Sequence, residues 1–339
     1  MLLTTSAKFL PELVGGKRRE VHGGVDRDEH VGVLRHWLTK FFCNHFAGDW
    51  NCGKLAGVMK TNTPPKTWFI TGTSSGFGRT LTEKLLARGD RVAATLRKVT
   101  TLDDLKAQYG DDLWVASLDV TDAEAVRRVV DRAFATMGRI DVVVNNAAYG
   151  LFGAAEELSD DQIRDQIDTN LVGSIQVIRA ALPHMRAQGG GRVLQVSSEG
   201  GQIAYPNFSL YHTTKWGIEG FVEAVAQEVA PFNVQFTIAE PGPAKTSFGG
   251  GLVSPPPMDV YENTPVGEMR RAFAAGTFIV KGDPIKMVQA MIDSVDRSPA
   301  PKRLALGSST YTSIRAALVE RLAALDSQKD IALSTDIDA

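Results

Sequence analysis

The chain has 339 residues, 43% of them hydrophobic and 22% charged, an ordinary balance for a globular protein that buries its own core. A formal net charge of −2 gives no reason to expect nucleic acid or an anionic membrane surface as partner. No apolar run reaches the roughly 18–20 residues of a spanning helix, no long apolar stretch follows Met1, and the chain has only two cysteines, so the expectation is a cytoplasmic protein with no membrane span and no disulfide framework.

Residues 1–60 stand apart from the rest. They hold both cysteines, four of the six histidines and the basic run Lys17-Arg18-Arg19, with no alternation of strand and helix. A poorly structured N-terminal extension is expected there. Cys43, His45 and Cys52 fit no zinc spacing and read as incidental. Residues 61–339 read as a single domain. Its buried-strand candidates are Thr67–Thr71, Arg91–Thr95, Leu113–Leu118, Val142–Asn145, Arg192–Ser197, Val234–Ala239 and Arg303–Leu306. These are short, apolar and rich in β-branched residues, as parallel strands covered on both faces should be. Between them, Thr121-x-x-Glu124 and Ser159-x-x-Gln162 have the form of capping boxes, opening helices over Asp122–Met137 and Asp160–Met185, with Gly138 ending the first. Such alternation implies an α/β fold: a doubly wound, Rossmann-type parallel sheet of about seven strands.

The first strand runs into Gly72-Thr73-Ser74-Ser75-Gly76-Phe77-Gly78, followed by a helix. Glycines let backbone turn tightly and approach a pyrophosphate, while the helix N-terminus offers free N–H groups to it. No Gly-Lys-Ser/Thr follows, so this is not a nucleoside-triphosphate loop. At the end of the second strand the sequence reads Leu96-Arg97-Lys98 where an NAD enzyme needs a carboxylate for the ribose 2′-hydroxyl. Arg97 there suits a 2′-phosphate, and the cofactor expected is NADP(H).

Tyr211 and Lys215 are four residues apart on a long predicted helix and so share one face. A phenol with pKa near 10 exchanges its proton poorly at neutral pH, and a neighbouring ammonium is expected to lower that value. Ser198 closes the fifth strand, at the strand end where open α/β sheets bind ligands. The G-xxx-G-x-G spacing, Asp119, Asn145-Asn146-Ala147, Ser198, Tyr211, Lys215 and Pro241-Gly242…Thr246 occur in an order that resembles the short-chain dehydrogenase/reductase family over nearly all of residues 66–310. Ala148 stands where the family's Asn-Asn-Ala-Gly motif has its glycine.

The resemblance implies that Tyr211 is the general acid/base, that Ser198 hydrogen-bonds the substrate oxygen, and that Lys215 tunes Tyr211 and holds the nicotinamide ribose. It implies that Asn170 supports a proton relay through water. It places Gly72, Ser74, Ser75, Gly76, Phe77, Gly78, Arg97, Asp119, Val120, Asn146, Ala147, Tyr211, Lys215, Pro241, Gly242 and Thr246 on the cofactor. No metal enters this chemistry, and a homodimer or homotetramer follows from the same resemblance. Residues 246–283, with Gly249–Gly251, Pro255–Pro257 and a helix near Gly267–Ala275, read as a lid over the substrate. Tyr149, Phe152, Tyr205, Phe208 and Phe248 are candidates for an apolar pocket, which suggests a moderately hydrophobic ketone or secondary alcohol. A catalytically silent NADP(H)-binding regulator or scaffold is the alternative. Within enzymes, a sugar-nucleotide epimerase or dehydratase is disfavoured by the short stretch after Pro241.

Overall fold

The computed structural model describes residues 64–337, and the expectations for residues 1–60, with Cys43, His45 and Cys52, lie outside them. The strands are β1 (Thr67–Thr71), β2 (Arg91–Leu96), β3 (Leu113–Ser117), β4 (Val142–Asn145), β5 (Gly191–Val196), β6 (Val234–Pro241) and β7 (Arg303–Leu306). They form one sheet in the order β3-β2-β1-β4-β5-β6-β7, and every neighbouring pair is parallel. This is the doubly wound, Rossmann-type arrangement. Strand ends fall within two residues of those expected. β6 runs on to Pro241 because Glu240 and Pro241 still pair with Ala305 and Leu306 of β7.

The helices are α1 (Gly76–Arg88), α2 (Asp103–Tyr109), α3 (Ala123–Met137), α4 (Asp160–Ile167), α5 (Gly173–Ala187), α6 (Ser209–Val229), α7 (Pro265–Ala274), α8 (Pro284–Val295), α9 (Ser308–Asp326) and α10 (Lys329–Leu333). Alternate strand residues point to opposite faces, so the sheet feeds two cores. Phe69, Ala93, Val143 and Val193 pack with α3, α5 and α6. Trp68, Ile70, Val92, Val144 and Leu194 pack with α1 and α8. Each fully buried Leu, Ile or Phe contributes about 1.5–3 kcal/mol, and both faces are filled with such residues. The result is a rigid sheet whose strand ends hold loops in place.

Two helix expectations need correction. The N-cap of α3 is Asp122, whose carboxylate accepts from the N–H groups of Glu124 and Ala125. Thr121 instead donates its hydroxyl to Asp119 Oδ1 at 2.7 Å, so it is unavailable as a cap. The stretch expected as one helix over Asp160–Met185 is α4 and α5 joined by a π-helical turn, Asp168–Val172. Such one-turn widenings occur often at functional sites. Ser159 and Gln162 do form the capping box that opens α4, and Gly138 ends α3 with φ 75°.

Candidate active site

The sheet order reverses around β1, with β2 on one side and β4 on the other, and a cleft of about 910 Å³ opens over the strand ends. Gly72, Ser74, Ser75, Gly76 and Phe77 line it. Gly72 and Gly76 have φ of 71° and 55°, which side-chain-bearing residues rarely adopt. Gly78 lies behind the lining: a Cβ there would sit 2.2 Å from the Gly72 carbonyl oxygen, so glycine is what lets α1 start so close to the turn. Ser75, at the N-cap of α1, makes no side-chain cap bond, and the first turn carries no acidic residue. Free N–H groups and the positive dipole end therefore face the cleft. A dinucleotide pyrophosphate fits this cradle.

Asn146 braces the loop rather than merely bordering it. Its Nδ2 donates to the carbonyls of Thr71 (2.9 Å) and Gly72 (3.1 Å), while Thr71 Oγ1 accepts from the N–H groups of Asn146 and Ala147. Asp119 and Val120, after β3, and Arg97, after β2, line the outer end of the cleft. Asp119 accepts from the Thr121 N–H and hydroxyl, which hold its carboxyl below the usual range. Pro241, the last residue of β6, and Gly242 and Thr246 after it line the other side.

Ser198, Tyr211 and Lys215 meet at the inner end. Ser198 follows β5, and its Oγ accepts from the Gly200 N–H at 3.1 Å. The α6 spacing sets Lys215 Nζ 5.5 Å from the centre of the Tyr211 ring, and Nζ donates to the Val196 carbonyl at 3.1 Å. Burial dominates here and overturns the expected direction for Tyr211. It pushes the phenol up to about 12, against a hydrogen bond with Ser198 that acts in the opposite sense. Lys215 is pushed down to about 8 by the same burial, in part countered by the Glu219 carboxylate. Both groups move toward their neutral forms, because the charged form of each loses its hydration.

Asn170 is buried behind the cleft lining, in the π-helical turn. Its Oδ1 accepts from the Tyr149 N–H (3.0 Å) and its Nδ2 donates to the Tyr149 carbonyl (2.8 Å), so the side chain clamps the chain leaving Asn146-Ala147-Ala148. Above Tyr211 sits an aromatic chamber. Phe152, Phe208 and Tyr211 form its buried core, with Tyr205, Leu252, Met269 and Phe273 against them. Tyr149, Tyr205, Phe208 and Phe248 line the cleft, whereas Phe152 stands behind Phe208 at 5.0 Å between ring centres. The sequence reading missed Phe273 and Phe278, which also line it. Their only sequence signal was a place in the long segment after β6. That segment is tied down at Glu157, which accepts from the Met258 N–H at 2.8 Å and pairs with Arg270 of α7. Asn207 adds a bond from Nδ2 to the Val266 carbonyl at 2.9 Å.

Also missed was Glu199, a buried carboxyl that borders the cleft beside Ser198. Burial pushes its pKa up. Two other buried carboxylates, Glu219 of α6 and Glu240 of β6, share the guanidinium of Arg303 on β7.

Comparison with known proteins agrees with this geometry. The family model for short chain dehydrogenases matches residues 66–255. The chain is 36% identical over 243 residues to oxidoreductase BOA17 of Botryotinia fuckeliana, covering 71% of this chain and 89% of that one. A short-chain dehydrogenase structure from Streptomyces avermitilis superposes with a TM-score of 0.75 at 38% identity, covering 81% of this chain and all of that one. An alcohol dehydrogenase from Thermococcus sibiricus, solved with 5-hydroxy-NADP, gives a TM-score of 0.58 at 27% identity, over 70% of this chain and 94% of that one.

Proposed function

The chain belongs to the short-chain dehydrogenase family, and we propose that it is an NADP(H)-dependent oxidoreductase acting on hydrophobic ketones or secondary alcohols. The observation that carries this reading is one cleft with Gly72, Ser74, Ser75, Gly76, Phe77 and Arg97 toward one end and Ser198, Tyr211 and Lys215 at the other. The glycine loop and the start of α1 hold the pyrophosphate, Arg97 the 2′-phosphate, and Lys215 the nicotinamide ribose. When bound, NADP(H) supplies or accepts the hydride.

Tyr211 then delivers a proton to the carbonyl oxygen in reduction and removes it in oxidation. With its pKa near 12, Tyr211 is a phenol throughout the neutral range, which suits the acid role. Ser198 donates to the same oxygen and so stabilises the alkoxide as it develops. Lys215, as an ammonium beside the ring, stabilises the phenolate that Tyr211 leaves behind. Asn170 keeps Tyr149 and the Asn146 segment fixed behind these groups. The aromatic chamber selects apolar substrate, and residues 246–283 close over it as a lid anchored through Glu157 and Asn207.

The test is a panel of aromatic, alicyclic and long-chain ketones, read by loss of NADPH absorbance. Turnover of several of them, at rates well above the protein-free control, is the expected result. NADPH binding without turnover of any panel member would instead make the chain a cofactor-binding regulator.

A further inference from the structure

Among buried carboxyl groups near the sheet ends, Glu199 is set differently from its neighbours. Glu219 and Glu240 share Arg303, as buried charges ordinarily require. Glu199 is only 5% exposed, and among the described residues its Oε2 has no hydrogen-bond partner within bonding distance. The Thr310 hydroxyl on α9 donates to the Leu306 carbonyl at 3.0 Å, and its pull on the Glu199 carboxyl is outweighed by burial. Lys215 gives a hydrogen to Val196, and the carboxylate that acts on its charge is Glu219, not Glu199. A buried polar group without a partner calls for an explanation.

Its position supplies one. Ser198 and Glu199 follow β5, and Gly242 follows β6; a Cβ built on Gly242 would lie 3.1 Å from Glu199 Oε2. Arg97 follows β2, three strands away in the sheet, or about 14 Å at ~4.8 Å per strand. Resting on the cofactor reading above, a dinucleotide whose 2′-phosphate meets Arg97 brings its nicotinamide to the Ser198–Gly242 end, beside Glu199. The oxidised ring is a cation and the reduced ring is neutral.

We propose that Glu199 discriminates between the two states of the cofactor: its carboxylate favours binding of NADP⁺ over NADPH. A buried carboxylate interacts strongly with a nearby cation where the dielectric is low; no cation among the described residues acts on Glu199, and the cationic ring supplies one. Burial holds the acid above the usual carboxylate range, so the preference is weak at low pH and grows as Glu199 ionises.

Three of the titratable groups around it hold one state as it does so. Tyr205 and Tyr211 are kept neutral by burial, and His212 is pushed down to about 4 and stays neutral. Glu240 is also raised, but it has the Arg303 guanidinium and Gln202 as partners. Lys215 changes charge only near 8, so its charge is constant below pH 7. The 2′-phosphate is common to both cofactor states and cancels in their ratio.

The experiment measures Kd for NADP⁺ and for NADPH by calorimetry, on wild type and Glu199→Gln at pH 7 and on wild type from pH 5 to 7. The expected result is that Glu199→Gln shifts the affinity ratio toward NADPH by about tenfold, equivalent to ~1.4 kcal/mol, mostly by weakening NADP⁺. The wild-type ratio should move toward NADP⁺ as pH rises. An unchanged ratio in a folded Glu199→Gln overturns the proposal, as does a wild-type ratio that is flat with pH if that variant does not fold. A wild type that binds neither cofactor overturns the cofactor reading itself, and this inference with it.

Discussion

The two ends of the cleft are built on opposite electrostatic principles. At the inner end Tyr211 and Lys215 are 8% and 3% exposed, and burial moves both toward neutrality. At the outer end Arg97 is exposed, on a loop where water keeps its charge hydrated. Under the proposed function the difference separates two tasks. Enclosure makes the creation of charge costly, so a group that moves a proton is controlled by its immediate neighbours and hardly by salt. Exposure leaves the outer end to do what a solvated cation does well, which is to recognise a phosphate through direct, salt-sensitive contact.

The enclosed end is where the largest effect is expected. Tyr211→Phe keeps the ring against Phe208 and removes only the hydroxyl. It should reduce kcat by about 10²–10⁴-fold, the usual contribution of a general acid or base, with NADPH affinity nearly unchanged. Steady-state rates together with a cofactor titration measure both. A variant that retains more than about a tenth of wild-type kcat would remove Tyr211 from the proton-transfer role.

The same contrast explains what could be read from the sequence. The sheet was legible because β-branched, apolar runs such as Val142–Asn145 can serve only as covered strands, and the glycine loop because Gly72 and Gly76 mark positive φ. The Tyr211 and Lys215 pairing was legible from helical spacing. The direction of the Tyr211 shift was not. Sequence places an ammonium near the phenol, but desolvation belongs to the assembled core and outweighs it. Glu199 was invisible for the same reason, since nothing adjacent in sequence says that its carboxyl is buried beside the cleft. The π-helical turn at Asn170 escaped because its Tyr149 bonds are long-range, and the Asp122 cap because Thr121 binds Asp119 instead.

At the open end the expected effect is smaller and differs in kind. Arg97→Ala should raise KM for NADPH by about ten- to a hundredfold, as the loss of roughly 1.5–3 kcal/mol of charge-assisted bonding implies. KM for NADH should change little, and adding Leu96→Asp should improve NADH further. Initial-rate titrations with each cofactor decide this, and an unchanged KM for NADPH in Arg97→Ala would refute it. Raising salt should weaken NADPH binding in wild type and leave kcat alone, which tests the two principles in one protein.

The smallest effect concerns pH and returns to the enclosed end. Lys215 has a pKa of about 8, while Tyr211 at about 12 and His212 at about 4 lie well outside the working range. Among these three, only Lys215 changes charge between pH 7 and 9.5. As an ammonium it stabilises the phenolate that forms when Tyr211 gives up its proton; as a free amine it does not. The sign follows directly. Ketone reduction should be level from pH 6.5 to about 7.5 and then fall as pH rises through the Lys215 pKa, approaching tenfold per pH unit. The profile of kcat must be taken at saturating NADPH and ketone, so that phosphate binding at the open end does not enter. Lys215→Arg retains a positive charge that does not titrate, and whatever rate it keeps should lose this alkaline limb. A wild-type profile that stays flat to pH 9.5 would mean that the Lys215 charge has no part in the proton transfer, and would leave it only the ribose to hold.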